Sequence, residues 1–146
     1  MKLSKNFDNE EFKCPCKNCK KDKLPDPKLL ILLQELRDLI EKPIIITSGI
    51  RCVSYNKKIG GYKKSPHLDG KAVDIFSKDF DYIKLARISR WIGFSRIGLY
   101  PFSNSKFIHV DIIDPNPNES WIKNWDGDYI YYKSLEEALK IAKNDT

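Results

Sequence analysis

The sequence predicts an α+β fold, a single domain with a small antiparallel sheet flanked by helices. Three observations lead there. Leucine and isoleucine recur at helical spacing from Leu29 to Ile40. Short β-branched or alternating runs stand at 44–47, 72–76, 96–100 and 107–113. These segments follow one another without the regular βαβ rhythm of a parallel sheet.

The chain up to Pro25 is polar and carries cysteines, so residues 1–25 read as an irregular arm. Asp26-Pro27 is a helix start, with Asp26 as N-cap and Pro27 at the first helical position. Leu29, Leu32, Leu33, Leu36, Leu39 and Ile40 form the apolar stripe of that helix, and Lys42-Pro43 stops it. Ile44-Ile45-Ile46-Thr47 predicts a buried strand. Gly60-Gly61 breaks the segment after Arg51, and the chain reads as loop until Lys71. Ala72–Phe76 reads as a strand, and Asp79–Ile92 as an amphipathic helix closed by Gly93. Arg96–Tyr100 and Phe107–Ile113 read as two further strands around a turn at Pro101–Ser105. Residues 114–146 read as an aromatic extension. It comprises a Pro/Asn-rich loop (Asp114–Asn118), an aromatic patch (Trp121, Trp125, Tyr129, Tyr131, Tyr132) and a last helix with a capping box, Ser134 and Glu137. The patch is expected to cover the sheet, with stacking on glycan sugars as the alternative.

A chain of 146 residues, 41% hydrophobic and 32% charged, suits one domain with a real core. Its longest apolar run, Leu29–Leu33, is far too short to span a membrane. The stretch Met1–Asp8 has no apolar h-region, so no signal peptide is expected. The net charge of +6 suits a polyanionic partner such as nucleic acid, anionic membrane or teichoic-acid-bearing wall. The lysine groups at Lys17–Lys23 and Lys57–Lys64 are not interleaved with aromatics as a base-stacking surface would be. They read as solvated surface, and no nucleic-acid partner is expected.

The chain has two histidines, and both stand in contexts that suit a metal ligand. His67 lies in Ser65-Pro66-His67-Leu68-Asp69-Gly70-Lys71-Ala72-Val73-Asp74. Asp74 sits between Val73 and Ile75, where an unpaired carboxylate would cost several kcal/mol to bury. His109 lies in Phe107-Ile108-His109-Val110-Asp111, and strand alternation puts His109 and Asp111 on one face. Two imidazoles and one carboxylate form a three-ligand zinc set with a fourth position open, as in catalytic sites. Satisfied, partly buried histidines are the alternative.

Residues 47–75, Thr-Ser-Gly-Ile-Arg-Cys followed by Asn56, Gly60-Gly61 and Ser-Pro-His-Leu-Asp-Gly-Lys-Ala-Val-Asp-Ile, resemble the zinc D-Ala-D-Ala carboxypeptidase and murein endopeptidase family (peptidase family M15, subfamily A type). The later His109-Val110-Asp111 and Ile97-Gly98-Leu99-Tyr100-Pro101 resemble it too, so the likeness runs over residues 7–113. The resemblance implies the fold shared with hedgehog signalling domains, with His67, Asp74 and His109 holding Zn2+. It implies that Arg51, Ser65 and Tyr100 lie on the substrate side. A guanidinium there suits a carboxylate or carbonyl. Several relatives place an acid or a histidine ahead of the last ligand, where this chain has Ser103, Asn104, Ser105 and Lys106. Asp111 is the nearest acid, and is either the catalytic base or a partner that orients an imidazole.

The implied function is zinc-dependent hydrolysis of D-Ala-containing stem-peptide bonds in peptidoglycan. A small, basic wall hydrolase without a leader suits a phage lysis enzyme, made in the cytoplasm as a monomer and acting on the wall after release or on a virion, with a bacterial enzyme exported by another route as the alternative. A wall-binding module that keeps the zinc without turnover is the alternative.

Cys14, Cys16, Cys19 and Cys52 leave three states open: a second, structural zinc, disulfides, or free thiols. The two-residue gap between Cys16 and Cys19 suits one metal.

Overall fold

A computed structural model describes residues 1–115 and 117–145 of the chain. Asn116, in the loop expected at Asp114–Asn118, lies outside the described residues.

Among the described residues, four helices and six strands form an α+β fold. The helices are α1 (Pro27–Ile40), α2 (Val53–Lys58), α3 (Tyr82–Ile92) and α4 (Leu135–Asp145). The strands are β1 (Ile45–Ser48), β2 (Ala72–Phe76), β3 (Arg96–Tyr100), β4 (Phe107–Asp111), β5 (Ser120–Lys123) and β6 (Tyr129–Tyr132). The sheet runs in the order β1-β2-β4-β3-β5-β6. Four of its neighbour pairs are antiparallel, and β3 with β5 is parallel.

Helix α1 begins as its sequence dictates. The Asp26 carboxylate accepts from the Lys28 amide at 2.9 Å, and Pro27 occupies the first turn. Leu29, Leu32, Leu33, Leu36 and Ile40 are buried, while Glu41 ends the helix in a left-handed conformation with φ 53°. Helix α3 starts at Tyr82, later than its apolar pattern suggests. The Asp81 side chain accepts from both the Ile83 and Lys84 amides, which makes Asp81 the cap.

One face of the sheet carries Val73, Ile75, Ile97, Leu99, Ile108, Val110 and Ile122 into the core. There α3 packs on β3 and β4, and α4 packs on β3, β5 and β6.

Two expectations change. β1 lies at the sheet edge, paired to β2 alone, and Ile45 is 43% exposed. An edge position leaves one side open, so an apolar run there does not mean burial. A short helix, α2, stands where loop is expected, capped when the Cys52 sulfur accepts from the Tyr55 amide at 3.3 Å. The irregular arm feeds the interior, with Phe7 and Phe12 in the core. The C-terminal extension does likewise. β5 and β6 complete the sheet, and Leu135, Ala138, Leu139 and Ala142 are core residues.

Candidate metal site

The opposite face of the sheet carries the polar residues. The strand registers set Asp74 beside His109, His109 beside Gly98, Gly98 beside Trp121 and Trp121 beside Tyr131. These residues form one row across five strands, and paired residues in a row project to the same side. His67 reaches the row from a 3-10 turn, Pro66–Asp69, which packs against β2. The Ser65 hydroxyl caps that turn by accepting from the His67 amide at 3.3 Å. Gly70 closes it with φ 68°, a conformation that favours glycine.

Three atoms meet there. His67 Nε2 lies 3.2 Å from His109 Nδ1 and 3.3 Å from Asp74 Oδ1, and His109 Nδ1 lies 3.1 Å from the same oxygen. The outer hydrogen bonds determine where the imidazole protons sit. His67 Nδ1 is 2.7 Å from the Gly49 carbonyl oxygen, which can only accept, so Nδ1 carries the proton and Nε2 a lone pair. His109 Nε2 is 2.8 Å from Asp111 Oδ2 and donates to that carboxylate, so Nδ1 carries the lone pair.

Two imidazole lone pairs and a carboxylate oxygen therefore point at one place with no hydrogen between them. Such an arrangement repels itself unless a cation occupies the centre. Tetrahedral zinc at ~2.0–2.1 Å from nitrogen and oxygen separates its ligands by roughly 3.3–3.4 Å, close to all three distances here. The residues present fit the metal.

The electrostatics agree. Burial works to raise the pKa of Asp74, but the adjoining His109 and His67 rings prevail and hold it well below the usual carboxylate range. Burial lowers the pKa of His67. Burial opposes charge on His109 as well, yet its bonds with Asp111 and Asp74 win and raise it. Asp74 thus keeps its negative charge between the two rings.

A second ring of residues holds these three. Arg51 Nη2 donates to Asp74 Oδ2 at 3.0 Å, Nε to Ser48 Oγ at 2.9 Å and Nη1 to Asn56 Oδ1 at 3.2 Å. Asp111 is fully buried, and Arg96 donates to its Oδ2 from Nε at 3.0 Å and from Nη2 at 2.9 Å. Trp121 packs 4.8 Å from the His109 ring and donates to the Tyr100 hydroxyl oxygen at 3.3 Å. Burial, then the neighbouring Asp74 charge, raises the Tyr100 pKa, so its hydroxyl stays protonated. Gly98 makes room for the indole, because a Cβ there would fall 2.4 Å from it.

The structure brings His67, Asp74 and His109 together, with Arg51 and Asp111 against them. It places Ser65 under the His67 turn and Tyr100 against Trp121. Sequence reasoning passed over Arg96, Gly98 and Gly49. A glycine inside a strand marks a close approach, a signal that could have flagged Gly98 but not what approaches it.

A second group forms where the arm meets the N-terminus of α2. The sulfurs of Cys14, Cys16, Cys19 and Cys52 lie within 4.8 Å of one another, and no disulfide joins them in this structure. Their mutual hydrogen bonding pulls the Cys16 thiol down to about 6 and pushes Cys19 up to about 12.

Comparison with known proteins shows the family. The model of the Peptidase M15 family matches residues 5–111. The zinc D-Ala-D-Ala carboxypeptidase of Streptomyces albus G is 35% identical over 66 residues, which is 44% of this chain and 26% of that protein. The chain thus matches about a quarter of that relative's length. With the matched stretch running from the arm through both histidine motifs to Asp111, the chain belongs to the Peptidase M15 family.

Proposed function

We propose that the chain is a zinc peptidase that hydrolyses D-Ala-containing stem-peptide bonds of bacterial peptidoglycan. The observation that carries this reading is the convergence of three unprotonated donor atoms, from His67, Asp74 and His109, 3.1–3.3 Å apart. Zinc bound by three such ligands supplies a Lewis acid with one position left for water or a substrate carbonyl.

The remaining residues take roles that their contacts suggest. Gly49 and Asp111 fix the two imidazole tautomers, so that both inner nitrogens offer lone pairs. Asp111 is the orienting partner rather than the base. It bonds the ring nitrogen opposite the ligand atom, and no solvent reaches it. Arg51 aims the Asp74 carboxylate with one of its five N–H groups. Its guanidinium also suits a substrate's terminal carboxylate, which favours trimming of a terminal D-Ala over cleavage of a cross-link. The Tyr100 hydroxyl, which accepts from Trp121 and stays protonated, would donate to a substrate carbonyl in this reading. Ser65 shapes the turn that presents His67.

The setting that suits a small chain of net charge +6 is the anionic wall. A phage lysis enzyme, released at lysis or carried on a virion, is the form we favour.

Zinc content and hydrolysis of purified muropeptides, for wild type beside His109→Ala, test the reading. Zinc-dependent release of D-Ala, lost in the variant, is the expected result, and split cross-links would reassign the bond. Zinc bound at this site without cleavage of any muropeptide would replace the peptidase by a wall-binding module. Zinc content unchanged by the substitution would overturn the metal site.

A further inference from the structure

The thiol cluster takes no part in the site just described, yet it is built like a ligand set. We propose that Cys14, Cys16, Cys19 and Cys52 hold a second zinc ion, which clamps the N-terminal arm to the loop carrying Gly49 and Arg51. The proposal goes beyond the peptidase reading and does not depend on it.

The geometry comes first. Four sulfurs mutually within 4.8 Å can surround one ion, and Cys16 and Cys52 are 3.5 Å apart across the cluster. Tetrahedral zinc with Zn–S of ~2.3 Å spaces its sulfurs by roughly 3.7–3.8 Å, so only small shifts separate this arrangement from a closed tetrathiolate site. Amide groups already point at two of the sulfurs. Cys52 N donates to Cys14 Sγ at 3.4 Å, and Tyr55 N donates to Cys52 Sγ at 3.3 Å. Such bonds favour the thiolate form that metals require.

Charge comes second. Four thiolates around one divalent ion carry a net charge of −2, which needs cations nearby. The Lys21 ammonium donates to the carbonyl oxygens of both Cys14 and Cys16. Lys17 and Lys58 line the hollow beside Cys16, Cys19 and Cys52. The basic stretch that reads as solvated surface in sequence is here the counter-charge of the cluster.

The third argument is structural need. From Cys14 to Leu24 the chain forms neither helix nor strand, and a segment without regular pairing is ordered only if something else ties it down. The tie would reach the active face. Cys52 follows Arg51, which bonds Asp74. The Ile50 amide donates to the Phe12 carbonyl at 2.8 Å, and Arg51 N donates to the His67 carbonyl at 3.0 Å. Gly49 lies so close to the arm that a Cβ would meet the Phe12 backbone at 2.7 Å, and its carbonyl holds His67. One short loop therefore joins the thiol cluster to two of the three ligands of the first site.

The test is zinc stoichiometry of the full chain, purified under reducing conditions, with Zn K-edge absorption to identify the neighbouring atoms. Two zinc ions per chain are expected, with a sulfur shell at ~2.3 Å beside a nitrogen and oxygen shell at ~2.0 Å. Cys16→Ser with Cys19→Ser should lower the count to one and remove the sulfur shell. His109→Ala should also lower it to one, but leave sulfur as the only shell. That contrast separates failure of this proposal from failure of the peptidase reading. If the double serine variant does not fold, wild type against His109→Ala still decides. One zinc without sulfur neighbours would overturn the proposal. So would four thiols that react freely in the zinc-loaded native protein, or a mass showing them consumed as disulfides.

Discussion

Asp111 is where a base and an orienting partner make opposite predictions. Its Oδ2 accepts from His109 Nε2 at 2.8 Å and from Arg96 at 2.9 and 3.0 Å, and the residue has no solvent exposure. In Asp111→Asn, the amide oxygen still accepts from His109, so the tautomer survives while the charge is lost. Removing an outer partner of a metal-bound histidine costs about 10–100-fold in metal affinity, equivalent to about 1.4–2.7 kcal/mol. The asparagine variant should lie near the 10-fold end and alanine near the 100-fold end. Alanine also strands Arg96, and breaking a buried pair costs about 3–5 kcal/mol. The Arg96 side chain keeps 20% exposure, so the lower figure applies. About 3 kcal/mol corresponds to a fall in Tm of roughly 6–12 °C for a chain of this size. Competition titration against a chromophoric chelator gives the affinities. Turnover at saturating zinc should then stay within about tenfold of wild type for Asp111→Asn. Wild-type zinc affinity with a loss of about 10²–10⁴ in kcat, the scale of a general base, would refute the orienting role.

Gly98→Ala should push Trp121 off His109, because the new Cβ would fall 2.4–2.6 Å from the indole, at a cost of about 1–3 kcal/mol. Trp91 and Trp125 are exposed and Trp121 is buried, so acrylamide quenching should gain a third accessible tryptophan, and an unchanged accessible fraction would count against the packing. Zinc affinity should fall as pH drops, because protons compete for the same lone pairs. The raised His109 pKa means that competition begins above its ordinary value of 6.5, whereas the lowered His67 pKa delays competition there. Chelator titrations at several pH values should show that fall, and a flat profile would contradict histidine ligation. Leu33→Ala, with its side chain fully buried in α1, should cost about 2–5 kcal/mol in urea denaturation, and a loss below 1 kcal/mol would mean that the core there is loose.

How legible was this in the sequence? His67, Asp74 and His109 stood out as a candidate set because Asp74 between Val73 and Ile75 needed a partner and both histidines lay in contexts that suit a metal, and the family resemblance then implied all three as ligands. Asp111 was legible through strand alternation alone. What stayed hidden depends on pairing across the sheet. Nothing local to Trp121 says that it sits one strand from Gly98 and against His109, because the parallel pairing of β3 with β5 brings them together. Arg96 was hidden for the same reason, since its partner Asp111 lies on the neighbouring strand. Ile45 misled because an apolar run says nothing about which strand lies at an edge. Phe7 and Phe12 showed no periodic pattern, one standing before and one ending a short 3-10 turn (Asn9–Phe12), so their arm read only as irregular.

Trp121 reaches His109 from beyond Asp111, where the family match ends. Ligands and their cover are therefore written in separate stretches of the gene. Replacing everything after Ile113 would recast one wall beside the metal while every donor atom stayed in place. Such a graft has one constraint. The replaced stretch also supplies Leu135, Ala138 and Leu139 to the core, so a new wall must arrive together with a new plug for the interior. A lineage can vary the neighbourhood of the metal by recombination at that single junction, but only with segments that fold as part of this sheet.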